Sequence, residues 1–190
     1  MQRPSHATLL DHCLRQLAAP ALVACAAAAG CCTPAPDFPS DVTTAETGAA
    51  AGRAQAGRIV NMGQPTAEEL AAFAAEGYGL VLDMRTAGED RGFDEAATAA
   101  ELGMEYQNLG FREPDTLTDD LLAQFIESVG STDGPVLLHC KSGNRSAGTW
   151  LAWRVLGEGV DFETALPEAK AMGLRNEAYA QRVREFIASR

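Results

Sequence analysis

The chain has 190 residues, 15 basic against 26 acidic side chains and a formal net charge of −11. That length suits one ordinary domain with a single core and leaves no room for a second full one. The charge argues against nucleic acid or an anionic membrane surface as a partner, so any recognition of an anion must be local.

Residues 1–31 read as a leader. Arg3 and Arg15 precede Leu17 to Gly30, LAAPALVACAAAAG, an apolar run of signal-peptide length that is short for a bilayer span. The segment resembles bacterial lipoprotein signals. Cys25 follows LVA and Cys31 follows AAG. Both are lipidation candidates, and Cys31 is favoured because more of the apolar run lies before it. The resemblance implies a periplasmic or membrane-anchored lipoprotein that touches the membrane through its anchor only. A plain cleaved signal, or a start placed too early with a cytoplasmic product, is the other reading. Residues 32–57 are rich in Pro, Ala, Thr, Gly and acids without apolar periodicity and read as a flexible linker. Its reach is on the order of 25 to 30 Å. Cys13, Cys25, Cys31 and Cys32 all fall in or beside the leader, so Cys140 is alone in the folded part and no disulfide framework is expected there.

The domain is expected over residues 58–190, with strand and helix signals alternating. Arg58 to Met62 reads as a strand. Thr66 and Glu69 form a capping box for a helix that Gly77 ends. Gly79 to Met84 (GLVLDM) suits a buried parallel strand. Asp94 to Leu102 reads as a helix closed by Gly103, Met104 to Leu109 as a strand, Thr118 to Val129 as a helix and Val136 to His139 as a strand. Ser146 to Leu156 is a helix with Trp150 and Trp153 as core residues. Asp161 caps another helix that Pro167 is expected to kink or split, and Asn176 starts an amphipathic terminal helix. Strands joined by helices of this length make an α/β fold, a parallel sheet covered on both faces, with ligands at the carboxyl edge of its strands.

The stretch that carries chemistry is GPVLLHCKSGNRSAGTWLAWRVL, residues 134–156. A strand that turns through a Gly-containing loop into a helix aims backbone N–H groups and the positive end of a helix dipole at one point. The loop is Lys141, Ser142, Gly143 and Asn144, and it leads into Arg145. Such a setting favours a thiolate, which makes Cys140 a candidate nucleophile. Arg145 offers a two-pronged donor for two oxygens of a phosphoryl or sulfuryl group. The Ser146 hydroxyl can serve the departing sulfur. His139 reads as a brace for the loop, and Lys141 as a source of local positive potential. Asp83 and Arg85 at the end of a neighbouring strand read as bracing.

HCKSGNRS, with DMR upstream and GQPTAEEL before that, resembles the cysteine-dependent phosphatase superfamily. The similarity is nearer to its small bacterial branch, named for the phosphatase-like domain of beta-lactamase hydrolase-like proteins. It implies a four-stranded parallel sheet flanked by helices, with the Cys loop between the last strand and a helix. It also implies no metal or other cofactor, and a phosphocysteine mechanism in which Cys140 attacks, Arg145 binds the phosphoryl group and an aspartate protonates the leaving oxygen. The resemblance places that acid in Gly110 to Thr118. Asp115 is the first candidate and Glu113 the next, with a turn or cap role for Asp115 as the alternative. Arg112 can help bind substrate or pair with Glu113.

Only four residues separate Cys140 from Arg145, where typical tyrosine and dual-specificity phosphatases have five. That spacing resembles rhodanese sulfurtransferases, and the small bacterial branch carries it too. Three functions follow: an exported phosphatase-like hydrolase, a sulfurtransferase with a Cys140 persulfide, or an oxyanion-binding module without turnover. The substrate is expected to be a small phosphorylated or sulfur-bearing anion, and the protein a monomer.

Overall fold

The computed structural model describes residues 41–45 and 53–190. The leader, its candidates Cys25 and Cys31, and much of the expected linker lie outside the described residues. Six strands form one sheet: β1 (Thr43–Ala45), β2 (Arg53–Ala56), β3 (Ile59–Met62), β4 (Leu80–Asp83), β5 (Glu105–Asn108) and β6 (Val136–His139). Their order is β1-β2-β3-β6-β4-β5. The last four in that order are mutually parallel, as expected, and β2 and β1 extend the sheet as antiparallel strands.

These two strands correct the linker boundary, since both fall within residues 32–57. Ala56 pairs with Ile59 across the turn residues Gly57 and Arg58, and Gly57 takes a φ of +55°. A two-residue turn with a left-handed glycine is a hairpin signal. The strand it opens, RAQA, lacks the β-branched residues that announce strands. Ala54 is nevertheless buried, and the Arg53 guanidinium lies 4.3 Å from the Phe73 ring centroid.

Every residue of β3, β4 and β6 is buried, as strands covered on both faces require. The two-residue alternation sorts their side chains. Ile59, Leu80, Leu82, Val136 and Leu138 face one core with Phe125, Trp150, Val183 and Phe186. Val60, Val81 and Leu137 face the other with Leu70, Phe73 and Ala99. The first core is covered by α3 (Asp119–Gly130), α4 (Asn144–Leu156), α5 (Phe162–Ala171) and α6 (Glu177–Ala188). The second is covered by α1 (Ala67–Ala75) and α2 (Glu95–Glu101). Both tryptophans are core residues, and truncating Trp150 to alanine is expected to cost about 3 to 5 kcal/mol.

Helix ends follow the expected caps. Thr66 and Glu69 form the reciprocal capping box, and Asp94, Thr118, Asp161 and Asn176 each accept from an N–H in the first turn. Pro167 does not split α5, which runs on to Ala171. The carbonyl that loses its partner belongs to Glu163, an exposed first-turn residue that water can reach.

Candidate active site

The site is built where β6 ends. Cys140 follows His139 directly and is 1% exposed. The chain then turns through Lys141, Ser142 and Gly143 into α4, which begins at Asn144, two residues before the expected start. Arg145 and Ser146 therefore lie in the first helical turn, where N–H groups have no intrahelical acceptor. Gly143 makes the turn possible with a φ of +78°. A Cβ there would also stand 3.3 Å from Asn61 Nδ2.

Burial pushes the Cys140 thiol up. The N–H groups of Ser146 and Ser142, the Ser146 hydroxyl and the Arg145 N–H favour the thiolate more strongly, so its pKa falls below the ordinary thiol value. Ser146 Oγ is buried and has no oxygen or nitrogen partner among the described residues. It is thus free to serve the sulfur.

Arg145 is 9% exposed and held on three sides. Its Nη1 and Nη2 each donate to one oxygen of Glu89 at 2.7 Å, and Nη1 also donates to the Phe111 carbonyl at 2.7 Å. The Glu89 carboxylate raises the guanidinium pKa most. Burial opposes it, and the facing Cys140 raises it further. The Arg145 Nε–H and one Nη2–H remain, and they project from the same side of the planar group.

The loop is stitched to its surroundings. Ser142 and Gly63 face each other as an isolated antiparallel bridge. Asn61 Nδ2 donates to the Gly143 carbonyl at 2.9 Å and to the Met172 carbonyl at 2.6 Å. Asn144 Oδ1 accepts the N–H groups of Arg175 at 2.6 Å and Asn176 at 3.0 Å. Arg175 Nη2 donates to the carbonyl and hydroxyl oxygens of Ser142 at 2.9 and 3.0 Å.

Under the loop, on the α2 side of the sheet, lies a charge network whose centre, Asp83, Arg85, Glu95 and His139, is buried. Asp83 accepts from Arg85 Nε at 3.0 Å, Arg91 Nη2 at 2.8 Å and the Tyr106 hydroxyl at 2.8 Å. Arg85 also reaches Glu95, and His139 Nε2 lies 2.9 Å from Glu95 Oε1. His139, Asp83 and Arg85 thus lie together in one network next to the nucleophile. Burial alone would raise the Asp83 pKa, but Arg85, His139 and Tyr106 bring it below the ordinary carboxyl value. Among the described residues, Asp83, Glu95 and His139 form a group whose ligand atoms lie within 4.8 Å of one another. Two guanidinium groups already match those two carboxylates, so a cation there would have to displace an arginine.

The loop from Gly110 to Thr118 comes over Arg145 through the Phe111 carbonyl. The Tyr179 hydroxyl donates to the Arg112 carbonyl at 2.6 Å and holds it there. Asp115 is exposed in a short 3-10 turn, Pro114–Thr116, closed by backbone bonds and by the Thr116 hydroxyl, which accepts the Arg112 and Glu113 N–H groups and donates to the Glu113 carbonyl. The Arg112 side chain forms no ion pair with Glu113 among the described residues. Sequence reasoning missed Glu89, Asn61, Glu95 and Arg175. Glu89 had a signal, an acidic residue just beyond the DMR strand at the sheet's carboxyl edge. Asn61 also had one, a polar residue inside an apolar strand.

Comparison with known proteins places the fold and the family. The family model of the beta-lactamase hydrolase-like protein, phosphatase-like domain, matches residues 53–156. A beta-lactamase hydrolase-like protein of Xylella fastidiosa is 32% identical over 120 residues, covering 61% of this chain and 27% of that protein. One from Agrobacterium fabrum is 31% identical over 108 residues, covering 55% and 24%. The match therefore spans about a quarter of each relative. Among solved structures, P. aeruginosa TpbA shares the fold with a TM-score of 0.61 at 18% identity, over 80% of this chain and 91% of that one. PTPMT1 does so with a TM-score of 0.56 at 19% identity, over 69% and 92%. A family match over more than half of the residues, on a sheet and loop of this form, leads to one assignment. The chain belongs to the phosphatase-like domain family of beta-lactamase hydrolase-like proteins, a membership that supports a phosphatase, and hence hydrolytic, function.

Proposed function

We propose that this domain is a cysteine-dependent phosphatase that hydrolyses a phosphomonoester through a phosphocysteine intermediate. The supporting observation is a buried thiol with a lowered pKa facing an immobilised guanidinium. The Cys140 thiolate attacks phosphorus and the ester P–O bond breaks. Asp115 gives its proton to the leaving oxygen. Water then attacks the phosphocysteine and returns a proton to Asp115. The P–S bond breaks to restore the thiolate, with the Ser146 hydroxyl donating to the departing sulfur. Because Glu89 occupies the end of the guanidinium, the Arg145 Nε–H and the second Nη2–H are left to grip two phosphoryl oxygens in both steps. Backbone N–H groups of the loop take the remaining charge.

The test is phosphate release from 4-nitrophenyl phosphate by the wild type and by Cys140→Ser, with acid quenching and mass spectrometry of the Cys140 peptide. The wild type should turn over and carry a phosphoryl group on Cys140, and Cys140→Ser should do neither. Turnover that survives in Cys140→Ser would rule the mechanism out.

The four-residue spacing between Cys140 and Arg145 favours one second reading, a rhodanese-like sulfurtransferase. There Cys140 would take the outer sulfur of thiosulfate and release sulfite. One added sulfur on Cys140 after thiosulfate exposure supports it, and an unmodified peptide rejects it. We also propose that the leader exports the chain and that Cys31, or else Cys25, carries a lipid. Palmitate labelling lost in Cys31→Ala supports anchoring at that residue.

A further inference from the structure

We propose that Arg175, joined by Lys141 next to the Ser142 that it holds, forms a second anion subsite at the rim of the Cys140 loop. The substrate would then be a phosphomonoester that carries a second anionic group. The inference rests on the phosphatase reading for its reacting group and on separate residues for the second one.

The first observation is charge. In a chain of net charge −11, cations are scarce and most described ones are matched. Arg53, Arg85, Arg91, Arg145, Arg154, Lys170, Arg182 and Arg184 each pair with a carboxylate. Arg58 donates to two backbone carbonyls, and Arg190 lies over the Phe186 ring. Lys141, Arg112 and Arg175 pair with no carboxylate among the described residues, and each borders the site. Lys141 is in the loop itself. Arg112 follows the Phe111 carbonyl that holds Arg145. Arg175 is hydrogen-bonded to Ser142.

The second observation is that Arg175 is fixed in place while still carrying free donors. Its backbone is pinned by Asn144 Oδ1, the side chain immediately before Arg145. Its Nη2 rests on Ser142, which leaves the Nε–H and both Nη1 hydrogens without a partner among the described residues. An exposed arginine on a flexible stem is ordinary. One held against an anion-binding loop by its own main chain has already lost much of the entropy that binding would remove. Exposure separates the two sets as well. Arg145 is buried whereas Arg175 and Lys141 are exposed, so the outer donors face solvent at the rim while the inner guanidinium faces the thiol. A second phosphate or a carboxylate on the same substrate would meet them there.

The first experiment compares kcat/KM for 4-nitrophenyl phosphate, which has one anionic group, with that for 2-carboxyphenyl phosphate and hexane-1,6-diol bisphosphate, which have two. The wild type should prefer at least one two-anion ester, and Arg175→Ala and Arg175→Gln should each lower that preference at least about tenfold, the loss of one charge-assisted contact. Arg175→Lys should keep part of it. A purely structural role for Arg175 would lower all substrates together and leave the ratio unchanged, which overturns the proposal. The second experiment needs no turnover. Calorimetry on Cys140→Ser should show tripolyphosphate binding at least about tenfold more tightly than orthophosphate, with the difference lost on adding Arg175→Ala. Equal affinities for the two anions overturn the subsite. If the wild type releases no phosphate from any ester, the phosphatase reading fails and the calorimetry alone decides the subsite.

Discussion

Glu89 and Arg145 meet as a two-pronged ion pair, with both arms at 2.7 Å, and so join the turn after β4 to the first turn of α4. Arg145, first among the causes, holds the Glu89 carboxyl down at about 2 from an ordinary value of 4.5. A depressed folded-state pKa contributes stability that is full above about pH 4.5 and lost as the pH falls toward about 2. Glu89→Gln keeps the shape and removes the charge. It is expected to lower kcat/KM for 4-nitrophenyl phosphate about tenfold to a hundredfold, because the guanidinium loses its fixed orientation. It should also cost about 2 kcal/mol of stability at pH 7. Urea midpoints of the two proteins should converge as the pH approaches 2, and curves that stay parallel would count against the pair as a stabilising unit.

The thiolate of Cys140 depends on donors that can be removed singly. Ser146→Ala deletes a hydroxyl that favours the charged sulfur, so the thiol pKa should rise toward the ordinary thiol value. Iodoacetamide labelling of the Cys140 peptide, followed across pH by mass spectrometry, should show its half-point below that value in the wild type and higher in the variant. A half-point that does not move would assign the lowering to the backbone N–H groups and the Arg145 guanidinium. Phosphocysteine should also persist longer in Ser146→Ala after mixing with substrate.

Asp115 and Glu113 can be separated by leaving group. Asp115→Asn is expected to lower kcat about 100-fold or more for an alkyl phosphate, whose leaving oxygen needs a proton. The effect should be far smaller for 4-nitrophenyl phosphate, and Glu113→Gln should change neither appreciably. Equal losses on both esters for Asp115→Asn would mark it as a turn residue.

Asp83 holds two arginines at once. Asp83→Ala takes one of two carboxylate partners from the buried Arg85 and the main partner from the partly buried Arg91, and is expected to cost about 3 kcal/mol, measured by urea unfolding. The carboxyl is depressed below its ordinary 3.8, so this contribution is present above about that pH and fades below it. Cys140 labelling should also lose its low half-point in that variant, since His139, the residue just before the nucleophile, is held in the same network.

The parallel part of the sheet was legible because β3, β4 and β6 are short apolar runs set between capped helices, and the caps at Thr66, Asp94, Thr118, Asp161 and Asn176 are where the sequence puts them. The Cys140 to Ser146 loop was legible for the same reason, as a strand, a glycine and a helix start in consecutive residues. The antiparallel edge was not. Its strands are Ala- and Thr-rich, and their pairing comes from a turn at Gly57 rather than from side-chain pattern. Glu89, Asn61 and Arg175 escaped for another reason. Each side chain acts across a separation of 33 to 111 residues, where the local pattern of a single sequence carries no trace of the partner.

The hydrogen bonds that Arg175 and Asn176 make to the loop, and that Met172 accepts from Asn61 beside it, have a practical consequence for anyone excising this domain. The recognised family segment ends at Leu156, inside the last residue of α4. A fragment cut there would lose the carbonyl that shares Asn61 with Gly143, the main-chain partners of Asn144, and the Tyr179 tether on the loop that carries Asp115. It would also strip Val183 and Phe186 from the core. The smallest autonomous unit therefore extends through α6, and a shorter clone would test an incomplete cradle.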